Sequence, residues 1–178
     1  MKHILIIASD GPSLINFRLH LIKTFLSKDY KVTVAVPQNK FTYVLQKRLK
    51  YLGVKIVFFS LSRTGLNFLK DLKSIYSIYK IISNFKPNLI FSFTAKPVIY
   101  TGLVLRFYKN TTFFPLITGV GYGLYKKKSI KHKILKFLIV NLYREGLKSA
   151  EKVIFQNKDD KFLFYKLKIL KKKKFQKL

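Results

Sequence analysis

Short apolar runs rich in Ile, Val and Phe alternate along this chain with segments whose apolar residues recur at helical spacing. His3–Ser9 is a near-continuous apolar run, as expected of a strand covered on both faces. Leu14–Ser27 has helical spacing, with Leu14, Phe17, Leu21, Ile22 and Phe25 in phase. Lys31–Val36 reads as a strand stopped by Pro37, and Phe41–Leu52 as a helix with Gly53 at its C-terminal cap. Lys55–Phe59 is a third strand. Leu66–Phe85 is the longest helix; Leu69, Leu72, Tyr76, Tyr79 and Ser83 form one stripe, widened by Ile75, Ile78, Ile82 and Phe85. Strands at Asn88–Phe93, Thr112–Ile117 and Lys152–Phe155 then alternate with helices at Pro97–Tyr108, Ser129–Lys148 and Lys158–Leu170. The alternation predicts an α/β fold, a single Rossmann-like parallel sheet with helices on both faces. It occupies residues 1–170; residues 171–178 form a lysine-rich tail expected to be disordered.

An open parallel sheet binds its ligands at the carboxyl ends of its strands, where the loops after strands one, four and five converge. The first loop, Ser9-Asp10-Gly11-Pro12-Ser13, leads into a helix whose first turns carry Asn16 and Arg18. Backbone N–H groups around Gly11 could face an anion. The pattern is not G-x-G-x-x-G, however, and an ordinary turn capped by Ser13 explains the spacing as well. After strand four, Thr94 and Lys96 sit at the strand end, with Pro97 at the first helical position. A lysine there opposes the positive end of the helix dipole, so either an anionic ligand compensates it or it is one exposed lysine among many. After strand five, Gly119, Gly121 and Gly123 follow Thr118 at alternate positions, which suits either close approach to a ligand or a plain flexible loop.

Other chemistry is narrowed by composition. The chain of 178 residues has no cysteine, which removes disulfides, thiolate metal sites and a cysteine nucleophile. His3, His20 and His132 are scattered and read as structural or surface residues; no metal site and no cofactor are expected. Asp159-Asp160 opens a helix, where acids commonly serve the dipole. With 36 Lys plus Arg against 7 Asp plus Glu, the net charge is +29. Lysine enrichment through genome composition explains part of this; an anionic membrane surface explains more than nucleic acid does, since no nucleic-acid-binding motif accompanies the charge.

Taken together, five motifs carry a resemblance. They are Asn16-Phe17-Arg18, Leu61-Ser62-Arg63-Thr64-Gly65-Leu66-Asn67, Phe93-Thr94-Ala95-Lys96-Pro97, Thr118-Gly119-Val120-Gly121-Tyr122 and Val153-Ile154-Phe155-Gln156-Asn157-Lys158-Asp159-Asp160. In this order, from about Lys2 to Phe164, they resemble the N-terminal, acceptor-side domain of family 4 retaining glycosyltransferases of the type that builds bacterial capsular, O-antigen or other lipid-linked polysaccharides. The resemblance implies one half of a GT-B fold. In that family a C-terminal domain binds most of the nucleotide-sugar and carries paired glutamates with seven residues between them. Glu145 and Glu151 do not make that motif, so the donor domain is expected to be missing. By the same resemblance, Gly11, Gly119 and Gly121 approach phosphate or sugar with their backbone, Arg18 and Lys96 supply charge to a diphosphate, and Asn16, Thr94 and Thr118 hydrogen-bond sugar hydroxyls.

The expected function is the acceptor-binding half of an enzyme moving a sugar from a nucleotide-sugar to a lipid-linked saccharide, truncated and inactive alone. The alternative is a non-catalytic subunit that recruits a separate C-terminal glycosyltransferase domain to the membrane. Either places the chain in the cytoplasm, peripheral at the inner face of the cytoplasmic membrane. Between Lys126 and Lys148, lysines surround Ile130, Ile134, Leu135, Phe137 and Leu138. The run Phe137–Val140 suits core packing, so membrane contact is assigned to the first turns and the loop before them: Lys126, Lys127, Lys128 and Lys131.

Overall fold

The computed structural model describes residues 1–38, 42–62, 65, 67–120, 124, 129–170 and 175–177. Strands β1 (His3–Ile7), β2 (Lys31–Val36), β3 (Lys55–Phe58), β4 (Leu89–Phe93), β5 (Thr112–Ile117), β6 (Val153–Phe155) and β7 (Phe175–Lys177) form one sheet. Its order is β3-β2-β1-β4-β5-β6-β7, and every neighbouring pair is parallel. The expected single Rossmann-like sheet is therefore present, with an added edge. The lysine-rich tail was expected to be disordered; Phe175–Lys177 instead lie parallel to β6 as β7.

Helices α1 (Gly11–Leu26) and α2 (Thr42–Lys50) cover one face of the sheet; α3 (Phe68–Phe85), α4 (Ala95–Leu105), α5 (Ile130–Gly146) and α6 (Lys158–Lys166) cover the other. All five residues of β1 are buried, which explains its uninterrupted apolar run. Ile4 and Ile6 pack with Leu14, Ile22 and Leu49, whereas Leu5 and Ile7 pack with Ile78, Val98 and Tyr143. Each such fully buried aliphatic side chain contributes roughly 1.5–3 kcal/mol before the entropy of ordering it is subtracted.

Local caps fix where the helices start. Asp10, not Ser13, caps α1: its carboxylate accepts from the Ser13 N–H at 2.9 Å, and the helix begins at Gly11 with Pro12 in the first turn. A carboxylate two or three residues ahead of a free N–H outcompetes a hydroxyl that lies already inside the helix. Asn67 and Asn157 cap α3 and α6 in the same way. Gly53 closes the α2 turn at φ +70°, a conformation that favours glycine.

Two helix faces differ from the periodicity-based expectation. On α3 the buried residues are Ser74, Ile78, Ile81 and Ile82, while Leu69, Leu72, Tyr76 and Tyr79 face outward. On α5, Phe137 and Leu138 are exposed rather than core-packed, and Val140 and Tyr143 go inside. Both helices are apolar around much of their circumference, so spacing alone could not choose the inner side. The α4–α5 crossing rests on two glycines that sequence patterning did not single out. A Cβ on Gly102 would lie 1.8 Å from the Gly146 carbonyl oxygen, so the backbones touch with no room for a side chain.

Candidate functional site

Consecutive strands pair outward from β1 in one direction and then, after β3, the chain returns to the other side of β1 as β4. At such a reversal the loops after the two central strands diverge and leave a crevice. A cavity of about 280 Å³ lies there, lined by Ala8, Ser13, Leu14, Phe17, Arg18, Phe93, Thr94, Thr118 and Gln156. It is assembled from four strand ends that are distant in sequence.

Arg18 is the cation of this cavity. Its guanidinium sits over the Phe93 ring, 4.9 Å from the centroid, and Nη1 donates to the Phe17 carbonyl at 2.9 Å. Partial burial pulls its pKa below the ordinary guanidinium value, yet arginine stays charged at any physiological pH. Among the described residues it has no carboxylate partner within salt-bridge distance. The aromatic ring beside the guanidinium supports its charge and takes up no N–H group, which leaves the remaining ones for an anion.

Thr94 forms the floor at the start of α4. Its backbone lies at φ 71°, ψ 161°, a region populated essentially by glycine, and its hydroxyl donates to its own neighbour's carbonyl at Phe93. Thr118, half-buried, follows β5 directly. Gly119 next to it has φ +151°, and a side chain there would meet only open space.

Of the residues singled out from sequence, Arg18, Thr94 and Thr118 thus line one cavity. Gly11 is buried at the first position of α1, and Asn16 is exposed one residue before Phe17; neither lines it. Lys96 is occupied elsewhere: its ammonium pairs with the Asp71 carboxylate of α3 at 2.7 Å, both side chains being 14% exposed. The anion that offsets a lysine at the α4 N-terminus is therefore supplied by the fold itself. Burial, with a hydrogen bond to the same carboxylate, pushes the Tyr100 phenol upward. Gly121, Lys126, Lys127 and Lys128 lie outside the described residues, and Lys131 is exposed on α5.

Gln156, Phe17 and Ser13 line the cavity without having been singled out as site residues. Gln156 is one residue past β6, and the position of that strand end is the signal that could have found it. Its backbone N–H donates to the Ile117 carbonyl at 3.1 Å, which ties it beside Thr118. Among the described residues, no cluster of three His, Asp or Glu side chains could hold a metal ion.

A doubly wound parallel sheet with a cation-bearing crevice at its reversal point defines the class: a Rossmann-like α/β domain that takes its ligand at the carboxyl ends of its strands. The chain belongs to the glycosyl transferase 4-like family, which matches residues 3–157. One curated relative, the N,N'-diacetylbacillosaminyl-diphospho-undecaprenol alpha-1,3-N-acetylgalactosaminyltransferase of Campylobacter jejuni, is 29% identical over 150 residues, covering 84% of this chain and 39% of the relative. Among solved structures, MurG of Acinetobacter baumannii superposes with a TM-score of 0.64 at 12% identity over 99% of this chain and 44% of its own. UDP-N-acetylglucosamine 2-epimerase of Rickettsia bellii gives 0.62 at 13%, over 99% and 44%. These structures share the fold with this chain while bearing different names, so the fold alone does not choose the reaction. The chain spans about two fifths of the length of the curated relative.

Proposed function

We propose that this chain is the acceptor-binding domain of a glycosyltransferase that moves a sugar from a nucleotide-sugar to a lipid-linked saccharide in surface polysaccharide synthesis. The observation that carries the reading is Arg18, a cation without a carboxylate partner among the described residues, held over the Phe93 ring at the cavity in the sheet reversal. A diphosphate or phosphate link between lipid and sugar is the anion it suits. The named substrate of the curated relative, a sugar on diphospho-undecaprenol, has that chemistry. Donor contacts would come from a second domain or chain, because the match spans only 39% of that relative.

The test is binding of a short polyprenyl diphosphate-linked N-acetylhexosamine to the 178-residue protein, with Arg18→Ala alongside. Saturable binding weakened at least tenfold by Arg18→Ala is expected. Binding that ignores Arg18→Ala rejects the reading. The chain by itself is expected to give no sugar transfer; turnover of a nucleotide-sugar by these 178 residues alone would show that the donor contacts also lie within them.

One set of exposed side chains supports membrane recruitment, either as part of this function or as the whole of it. Ile130, Ile134, Phe137 and Leu138 recur at i, i+4, i+7 and i+8 on α5 and are all exposed, with Lys131 and Lys133 exposed between them. An apolar stripe flanked by lysines suits shallow burial among anionic headgroups at the inner face of the cytoplasmic membrane. No helix among the described residues is long and apolar enough to cross a membrane. Co-sedimentation with vesicles should require anionic lipid, fade with salt, and fall when Phe137 and Leu138 become Ser. Equal binding to neutral vesicles rejects it.

A further inference from the structure

The polar groups of the cavity divide into those already engaged and those left over. Ser13 is engaged twice: its N–H and its hydroxyl both donate to Asp10, at 2.9 and 3.1 Å. Thr94 donates to the Phe93 carbonyl. Asn157, just beyond the cavity, accepts from the Asp160 N–H and donates to the Asp160 carboxylate, each at 2.7 Å. What remains among the described residues is the outer part of the Arg18 guanidinium, the Thr118 hydroxyl and the whole side-chain amide of Gln156. Phe17 adds an apolar surface to the same wall and is 68% exposed.

This remainder has a chemical complement. Arg18 calls for a negative group. Gln156 offers a neutral N–H donor and a carbonyl acceptor on a backbone pinned by Ile117. Phe17 offers a patch for something small and apolar. An acetamido substituent combines a carbonyl acceptor, an N–H donor and a terminal methyl within a few ångströms. A hydroxyl in the same place supplies the polar part without the methyl and with a weaker acceptor. Resting on the acceptor-binding function proposed above, we propose that Gln156, with Phe17 beside it, is the specificity-determining residue through which this cavity selects a 2-acetamido sugar over its 2-hydroxy counterpart on a phosphate-linked acceptor. Sites built to hydrogen-bond a substituent discriminate strongly against analogues that lack it, because the buried partner is then left unpaired. Gln156 lies at an open rim, so the discrimination expected here is smaller, about tenfold.

The experiment compares binding of N-acetylglucosamine 1-phosphate and glucose 1-phosphate to the 178-residue protein by calorimetric titration. The protein should bind the acetamido sugar about tenfold more tightly. Gln156→Leu, which keeps the side-chain size at an exposed position, should bring the two affinities together by weakening the acetamido sugar more than glucose 1-phosphate. Gln156→Glu, which removes the N–H donors, should do the same for the preference. Phe17→Ala should narrow it. Arg18→Ala should weaken both ligands alike. Equal affinities in the unaltered protein, or a preference that survives both Gln156 variants, overturn the assignment while leaving the acceptor-binding function standing if Arg18→Ala still weakens both. Failure of both phosphosugars to bind rejects that function and the assignment with it.

Discussion

Thr94 and His3 show two opposite ways a single residue can be held by its surroundings. Thr94 keeps a glycine-like backbone at the cavity floor, a conformation that costs on the order of 1–3 kcal/mol for a β-branched residue. Thr94→Gly should relieve that strain; after the extra chain entropy of glycine, roughly 0.5–1 kcal/mol, a net gain of about 1 kcal/mol is expected in thermal denaturation. Lower stability in the glycine variant would mean the backbone is not strained there. His3 is held by its ring. Nδ1 must carry the proton, since the Phe85 carbonyl at 3.1 Å can only accept, so Nε2 accepts from the Thr33 hydroxyl at 2.9 Å. Burial, with Lys31 and Lys55 nearby, lowers its pKa below 6.5. The unfolded chain therefore binds a proton before the folded one does, and stability is lost as pH falls from about 6.5 toward the lower folded value. Urea melts between pH 7.5 and 5.5 should show this loss, and His3→Gln should flatten it. These details were beyond sequence reading: His3 could be read only as structural or surface, and neither its burial nor its partner 30 residues away followed from the sequence.

At the scale of elements, the strands were legible and the helix faces were not. Positions of β1 to β6 agree within a residue or two, because buried parallel strands write themselves as uninterrupted apolar runs; β7, short and set in a lysine-rich tail, has no such run and was missed. Helices α3 and α5 each carry more apolar residues than one inner face can hold, and which set goes inside is decided by neighbours the sequence does not name. Ser74 shows it: a small polar residue is fully buried because α3 lies close there, with its hydroxyl turned back to the Lys70 carbonyl at 2.8 Å. The site was partly legible for the same reason. Loops after strands one, four and five could be foreseen to converge, and Arg18, Thr94 and Thr118 do line one cavity. Lys96 could not be placed, since its partner Asp71 is on a different helix. That pair ties α3 to α4. Lys96→Ala, which leaves the Asp71 carboxylate with only the Tyr100 hydroxyl and the Asn67 N–H as partners among the described residues, should cost about 2 kcal/mol in urea denaturation, and the double variant with Asp71→Ala less than the two single losses combined. Phosphosugar affinity in folded Lys96→Ala should be unchanged; a large loss would return Lys96 to the binding site. The α4–α5 crossing is less forgiving. Gly102→Ala sets a methyl against a backbone carbonyl that cannot move alone, and about 3 kcal/mol or more of destabilisation is expected.

For the whole molecule, the charge is the dominant quantity. Only 7 carboxylates oppose 36 Lys and Arg, leaving a net +29, and the exposed Glu145 already serves both Arg106 and Lys148 at 2.6 Å. Self-repulsion on this scale disfavours the compact state. Raising salt from 0.01 M to 0.15 M shortens the screening length from ~30 Å to ~8 Å, so the melting temperature should climb with added sodium chloride. A flat response would mean the lysines are too far apart to matter. The sheet order bears on something else, the timing of synthesis. Strand β1 has β2 as its neighbour almost at once, but its other edge must wait for β4. At ~5–20 residues per second, the stretch from Val36 to Leu89 takes on the order of 3–10 s to leave the ribosome. For that interval the most apolar strand of the nascent domain has one open edge, and the lysines between Lys23 and Lys86 are the groups whose repulsion would hold neighbouring chains on a polysome apart.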